Sequence, residues 1–230
     1  MNCLLCHSSY NPIASWRQLL FLEDVDVLCP RCRGSFALID GRLCEMCGRP
    51  LDEASPSPCA DCLHWQEDEQ WGGVLVKNRS VYVYNDWMKE VVTLWKFRGD
   101  YAIVDAFRRP FVHAFRQSFG REWHIVPIPL SPERLYERGF NQAEALARLL
   151  PFPSFPWLAR KHSEKQSKKS RRERLETDNP FFLTDCPPLT GKRIVLIDDI
   201  YTTGITVRHA ARVLREAGAT EVGSLTLVRA

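Results

Sequence analysis

No stretch of this sequence approaches the roughly 18–20 consecutive apolar residues that a membrane-spanning helix requires. Its first residues also lack a charged segment followed by a long apolar one of the kind that directs secretion. A cytoplasmic setting is therefore expected. Charge of one sign is in short supply too: 31 Lys and Arg stand against 28 Asp and Glu, a net +3 over 230 residues, which excludes a generally polybasic chain. The balance hides a local excess. Between Arg160 and Arg174 eight Lys and Arg face two Glu, so that segment carries +6 and the remainder −3, a pattern that suits one anionic partner met at one place. With 45% apolar and 26% charged residues, the chain is neither disordered nor collagen-like in composition. One compact domain, or one with a small appendage, is expected.

Cysteine is abundant, at nine residues. Eight fall in four Cys-x-x-Cys pairs: Cys3/Cys6, Cys29/Cys32, Cys44/Cys47 and Cys59/Cys62. A reducing compartment disfavours disulfides, and such pairs suit tetrahedral thiolate coordination, so two structural zinc ions are expected. The first 65 or so residues have few apolar runs and are punctuated by Gly34, Gly41, Gly48, Pro50, Pro56 and Pro58, so metal would stand in for a full core. Cys44/Cys47 with Cys59/Cys62 reads as one zinc ribbon, Gly48 relieving the backbone after the knuckle. Cys3/Cys6 with Cys29/Cys32 would be the other, and an interleaved pairing is also open. His7 and His64 are bystanders, because eight thiolates complete both sites.

From about Val81 the pattern changes to alternating strands and helices. Val81–Tyr84 reads as a strand, Asp86 as the cap of a helix to about Phe97, and 101–118 as a second helix after a break at Gly99-Asp100. Ile125–Pro129 is a short strand, followed by a charged loop and a helix over 141–150. Ile194–Ile197 is wholly apolar, as in a central parallel strand buried on both faces. A helix over 205–217 follows, closed by Gly218, and then a strand over 221–229. This order argues for a mostly parallel α/β sheet flanked by helices. Trp87, Trp95, Phe97, Phe107, Phe111 and Phe115 recur at helical spacing and are assigned to the core. Arg208, Arg212 and Arg215 read as a solvated stripe on the last helix, and Cys186 as an unreactive loop thiol.

The most informative stretch is Ile194-Val-Leu-Ile-Asp-Asp-Ile-Tyr-Thr-Thr-Gly-Ile-Thr206. In an open α/β sheet, ligands sit beyond the carboxyl ends of the strands, where Asp198 and Asp199 would lie. Thr202, Thr203, Gly204, Ile205 and Thr206 then form a hydroxyl-rich turn into a helix N-terminus, whose free N–H groups favour a phosphate. Carboxylates for sugar hydroxyls and a turn for a 5′-phosphate describe a ribose 5-phosphate site. A capped helix after a core strand would explain one Thr or Asp, not this density of polar groups. Upstream, Pro127-Ile-Pro129 fixes a strand end, and the loop beyond it presents Arg134, Arg138 and the backbone around Gly139. A guanidinium fork matches phosphate oxygens; surface arginines on a solvated loop are the plainer alternative. Asn141 and Gln142 are expected to steady that loop.

The stretch from Ile194 resembles the 5-phosphoribosyl-1-pyrophosphate (PRPP) signature of type I phosphoribosyltransferases. Together with the paired ribbons, Lys96-Phe-Arg-Gly-Asp100, Val126-Pro-Ile-Pro129, Arg138-Gly-Phe-Asn-Gln142 and Lys165-Gln-Ser-Lys-Lys169, it makes the whole chain similar to the ComF/ComFC family of late-competence proteins. The resemblance implies a double zinc ribbon over 1–68 and a phosphoribosyltransferase-like domain over 69–230. It also implies a bacterial protein that helps handle incoming single-stranded DNA in natural transformation, with a competence helicase and a recombination mediator as partners. By position, Arg134, Arg138 and Gly139 resemble the pyrophosphate loop. Lys165, Gln166, Lys168, Lys169 and Arg174 correspond to the loop that closes over pyrophosphate, and such a basic arm beside Phe152, Phe155 and Trp157 equally suits the backbone of single-stranded nucleic acid. Two further readings stand beside this one. The chain could be an active phosphoribosyltransferase, with Mg²⁺ bridging pyrophosphate and ribose hydroxyls, although no base-specificity element is recognisable. It could also be a zinc-ribbon adaptor for a DNA-translocating partner.

Overall fold

The computed structural model describes residues 1–11, 26–97, 100–161 and 179–230. Lys165, Gln166, Lys168, Lys169 and Arg174 lie outside the described residues. In chain order the elements are α1 (Pro30–Gly34), α2 (Ala60–Glu67), β1 (Lys77–Val83), α3 (Asp86–Phe97), a 3-10 helix (Tyr101–Phe107), α4 (Arg108–Ser118), β2 (Trp123–Pro127), α5 (Pro132–Arg138), α6 (Gln142–Ala147), β3 (Leu158–Arg160), β4 (Phe181–Leu183), β5 (Arg193–Tyr201), α7 (Ile205–Glu216) and β6 (Glu221–Arg229). The main sheet is wholly parallel in the order β1-β6-β5-β2, and β3 and β4 form a separate antiparallel pair.

The apolar run at 194–197 is the middle of this sheet, and its side chains alternate between two cores, as a period of two requires. Val195 and Ile197 face α3 and α4, packing with Val91, Trp95, Phe107, Phe111 and Phe115. Ile194 and Leu196 face α7, through Val207, Ala210, Ala211 and Leu214. The second core also contains Cys44, Cys47, Cys59 and Cys62. The N-terminal part is bonded to the edge of the sheet: the backbone N–H of Ile39 donates to Val81 O, and that of Val83 to Ala37 O, each at 2.9 Å.

Several local expectations change in the structure. Helix α3 is capped by Asn85, whose side chain accepts from the Met88 N–H at 2.8 Å, rather than by Asp86. The stretch 101–118 is divided, because Pro110 has no N–H to donate and its ring crowds the carbonyl four residues back; a 3-10 turn therefore precedes α4. The charged loop after β2 contains α5. Ser131 caps it, Pro132 occupies its first turn, and Gly139 ends it at φ +76°, a start and stop written in the sequence. Phe97 is not core but 73% exposed, and Arg208 is not solvated but 2% exposed. Trp157, read as a neighbour of a nucleic-acid-binding arm, is buried and stacked on Phe155 at 4.8 Å.

Candidate functional site

Strand β2 ends at Pro127 opposite Ile197, and β5 runs on past it. Asp198 and Asp199 therefore emerge beyond the end of the neighbouring strand, at the mouth of a cavity of about 150 Å³. Its walls include Lys96, Arg134, Arg138, Arg160, Asp198, Asp199 and Thr206, four cations against two carboxylates, which suits an anionic ligand. Each side chain arrives from a different element. Lys96 comes from the end of α3 and sets its Nζ 2.5 Å from Asp199 Oδ2. Arg134 and Arg138 share one face of α5 at the i, i+4 spacing. Arg138 is steadied by donating to Gln142 Oε1 at 2.8 Å and lies 5.9 Å from the Phe97 ring. Arg160 closes the cavity from β3.

Burial, and secondly the Asp199 charge, push the Asp198 carboxyl up to about 7. Two carboxylates side by side cannot both ionise freely in a site sheltered from water. Near neutral pH the pair can thus donate one hydrogen bond as well as accept several, which suits sugar hydroxyls. Asn141 caps α6 through the Ala143 N–H and donates to Ile128 O at 3.0 Å each, the steadying role expected for it.

The turn from Tyr201 to Thr206 completes the site. Gly204 is the N-cap of α7 at φ +80°, and no side chain caps that helix. A Cβ at Gly204 would overlap the Tyr201 hydroxyl, so both conformation and space require glycine. Thr202, Thr203 and Thr206 are exposed. Thr206 lines the cavity, while Thr202 and Thr203 stand outside its walls. The Ile205 side chain is buried with Trp65 and Trp71. Gly139 ends α5 and is not part of the cavity wall.

Lys96 and Arg160 were not assigned to the site from the sequence. Lys96 figured only as one letter of a shared motif, and Arg160 only in a charge count. The signal available for Arg160 was its place at the start of the basic segment, after an apolar Trp157-Leu158.

The cysteines form two groups taken in chain order, Cys3/Cys6/Cys29/Cys32 and Cys44/Cys47/Cys59/Cys62, each with all four sulfurs within 4.8 Å of one another; the interleaved pairing does not occur. The sulfur pairs Cys6–Cys29, Cys44–Cys62 and Cys47–Cys59 stand 3.7, 3.8 and 3.7 Å apart. A tetrahedron with Zn–S bonds of about 2.3 Å has edges of about 3.8 Å, so both groups fit a zinc ion with every coordination position filled. Such sites stabilise the fold and leave no open position for catalysis. The second group is fixed to the sheet: Asn78, fully buried in β1, donates to Cys47 O at 3.0 Å and accepts from Ser224 Oγ at 2.9 Å.

Among the described residues no helix is long and apolar enough to cross a membrane. A phosphoribosyl transferase domain model matches residues 119–230, which span the carboxylate pair, the turn and α5. Competence protein ComFC of Bacillus subtilis is 44% identical over 229 residues, covering 99% of this chain and 94% of that protein. Competence protein ComFC of Streptococcus pneumoniae is 35% identical over 230 residues, covering 100% of both. DNA utilization protein YhgH of Escherichia coli is 29% identical over 219 residues, covering 88% of this chain and 90% of that one. Motif, fold and whole-length similarity agree: the chain belongs to the ComF/ComFC family.

Proposed function

We propose that this chain assists the uptake and handling of incoming single-stranded DNA in natural transformation, in the cytoplasm, and that its cleft binds PRPP. The observation that carries the second part is the convergence of Asp198, Asp199, Arg134, Arg138 and Thr206 on one small cavity, beside a helix N-terminus with no side-chain cap. In this reading the carboxylates hold the ribose hydroxyls, the turn Thr202–Thr206 holds the 5′-phosphate, and the two arginines hold the pyrophosphate. Lys165, Gln166, Lys168, Lys169 and Arg174 contribute either to pyrophosphate or to the DNA backbone. Residues 1–68 serve as the ribbon part and 69–230 as the phosphoribosyltransferase-like part. Family membership favours a competence helicase and a recombination mediator as protein partners.

Mg²⁺ would enter with the pyrophosphate. Asp199 is already paired with Lys96, so the acid pair suits ribose hydroxyls better than a bare divalent ion. Active phosphoribosyl transfer is a second reading, favoured by the four cations at the cavity. Transfer to a base displaces pyrophosphate through an oxocarbenium-like state, which needs charge neutralisation and positioning rather than a covalent nucleophile. The two readings are separated by incubating the zinc-loaded protein with PRPP, Mg²⁺ and a panel of purines, pyrimidines and amines. Pyrophosphate release that depends on one base favours the enzyme.

The DNA role is tested by fluorescence anisotropy of labelled single-stranded DNA at two salt concentrations, with and without PRPP. Binding that weakens with salt and responds to PRPP is expected. Absence of binding at low salt would refute it.

A further inference from the structure

The cleft and the second cysteine group share one stack of side chains. Helix α2 has Cys59 at its N-cap and Cys62 in its first turn, and one turn further on it carries Trp65, 3% exposed. Trp65 and Trp71 meet edge to face at 6.2 Å and form a buried cluster with Ile205, the first residue of α7. One turn into α7, the Arg208 guanidinium lies 4.4 Å from the Trp65 ring centre. Beside Arg208 lies the Tyr201 side chain, whose hydroxyl sits against Gly204. From the far side Arg229 donates to the carbonyls of Tyr201 and Thr202 at 3.2 and 3.0 Å. The turn that presents Thr202, Thr203 and Thr206 outward is therefore held from behind by residues that no ligand in the cleft would touch.

Charge runs along the same stack. Arg208 has no carboxylate partner among the described residues, and the sulfurs of Cys62 and Cys47, once ionised, are opposite charges that act on it. A zinc ion held by four thiolates carries a net charge of −2, and here it would be the counter-charge of a buried guanidinium. Among the described residues the first cysteine group has no such link. It packs with Leu28, Val27, Phe36, Trp87 and Ala106, on the side of the sheet covered by α3 and α4.

We propose that the metal centre at Cys44, Cys47, Cys59 and Cys62 positions the phosphate turn through Trp65, Ile205, Arg208 and Tyr201, so that its metal occupancy sets the affinity of the cleft for a ribose phosphate. The centre at Cys3, Cys6, Cys29 and Cys32 does not. This coupling rests on reading Thr202–Thr206 as a phosphate site, yet its geometric half stands apart from that reading and can be measured without ligand. Arg208 and Tyr201 are positioning residues in it. Removing either leaves the zinc ligands and the ligand-facing threonines in place, while freeing the turn to sample conformations unsuited to an anion.

The test uses the full chain with zinc counted by native mass spectrometry. In a Cys3→Ser/Cys6→Ser variant carrying one zinc, ribose 5-phosphate should bind within about twofold of the two-zinc protein. Titrating out the remaining zinc should raise hydrogen exchange over 201–208 before it does so in the central strand 193–197. In the two-zinc protein, Arg208→Met and Tyr201→Phe should weaken ribose 5-phosphate by about tenfold, since each removes a buried polar group packed behind the turn; Arg208→Lys should recover part of the loss. Unchanged exchange over 201–208 on zinc withdrawal overturns the coupling, as does ribose 5-phosphate affinity that is indifferent to both substitutions. If wild-type protein binds neither ribose 5-phosphate nor PRPP while 201–208 still loosens on zinc loss, the reading of the cleft fails and the positioning role survives. Should zinc removal unfold the whole chain at once, the Arg208 and Tyr201 variants, which keep both metals, decide the matter.

Discussion

Replacing Asp198 with Asn should make the protein more stable at alkaline pH and worse at binding. Asp198 sits in a sheltered site beside a second carboxylate, and its pKa is pushed from an ordinary 3.8 up to about 7 by burial first and by Asp199 second. A carboxyl whose folded pKa is raised favours the protonated native state. The chain is thus spared any cost below about pH 4, loses stability as pH rises from there to about 7, and reaches a plateau beyond it. One pKa unit is worth about 1.4 kcal/mol, so the full penalty is on the order of 4 kcal/mol. Asn is uncharged, of similar shape, and can still accept the Asp199 N–H bond now made at 2.9 Å. The advantage of Asp198→Asn over wild type should therefore grow by about 1 kcal/mol between pH 6 and pH 8. Urea denaturation of both proteins at the two pH values, each with two zinc ions, measures it, and the comparison cancels pH effects on the metal centres. Parallel stabilities for the two proteins would refute the assignment of a raised pKa to Asp198.

Other substitutions act on separate parts of the site. Arg134→Ala and Arg138→Ala should each weaken PRPP by about tenfold, the scale of one charge-assisted hydrogen bond, while leaving ribose 5-phosphate nearly unaffected; calorimetric titration of both ligands checks the contrast. Gly204→Ala should cost at least about 2 kcal/mol in urea denaturation, because φ +80° and the Tyr201 hydroxyl both oppose a Cβ. Lys96→Met should raise the Asp198 pKa further, since the Lys96 charge now lowers it, and should shift the pH dependence of ligand binding upward. Zinc assay after full denaturation should return two ions per chain, and chelation should lower the thermal midpoint.

Much of this architecture was legible in the sequence because local rules and tertiary packing agree there. Ile194–Ile197 has the pattern typical of a strand buried on both faces. The four Cys-x-x-Cys pairs fixed the number of metal sites, and α7 and β6 begin and end within a residue of their expected bounds. What escaped was set by contacts distant along the chain. The i, i+4, i+7 arginines of α7 look solvated until Trp65, more than 140 positions earlier, is folded over Arg208. Phe97 fits the helical spacing of the core, yet it is the last residue of α3 and is exposed. Lys96 reaches Asp199 across about a hundred residues, and no local pattern announces such a pair. Helix α5 was missed for a different reason: its charge density masked a Ser-Pro start and a glycine stop that the sequence does contain.

In the proposed function one cavity takes the ribose, its phosphate and the pyrophosphate together. Isothermal titration of PRPP with Mg²⁺ into the two-zinc protein tests it most directly, run alongside Asp198→Asn and an Arg134→Ala/Arg138→Ala double variant. Saturable binding of one PRPP per chain is expected, weakened at least tenfold in either variant, with both variants folded and zinc-loaded. No binding by the wild-type protein, or binding indifferent to both substitutions, would contradict it.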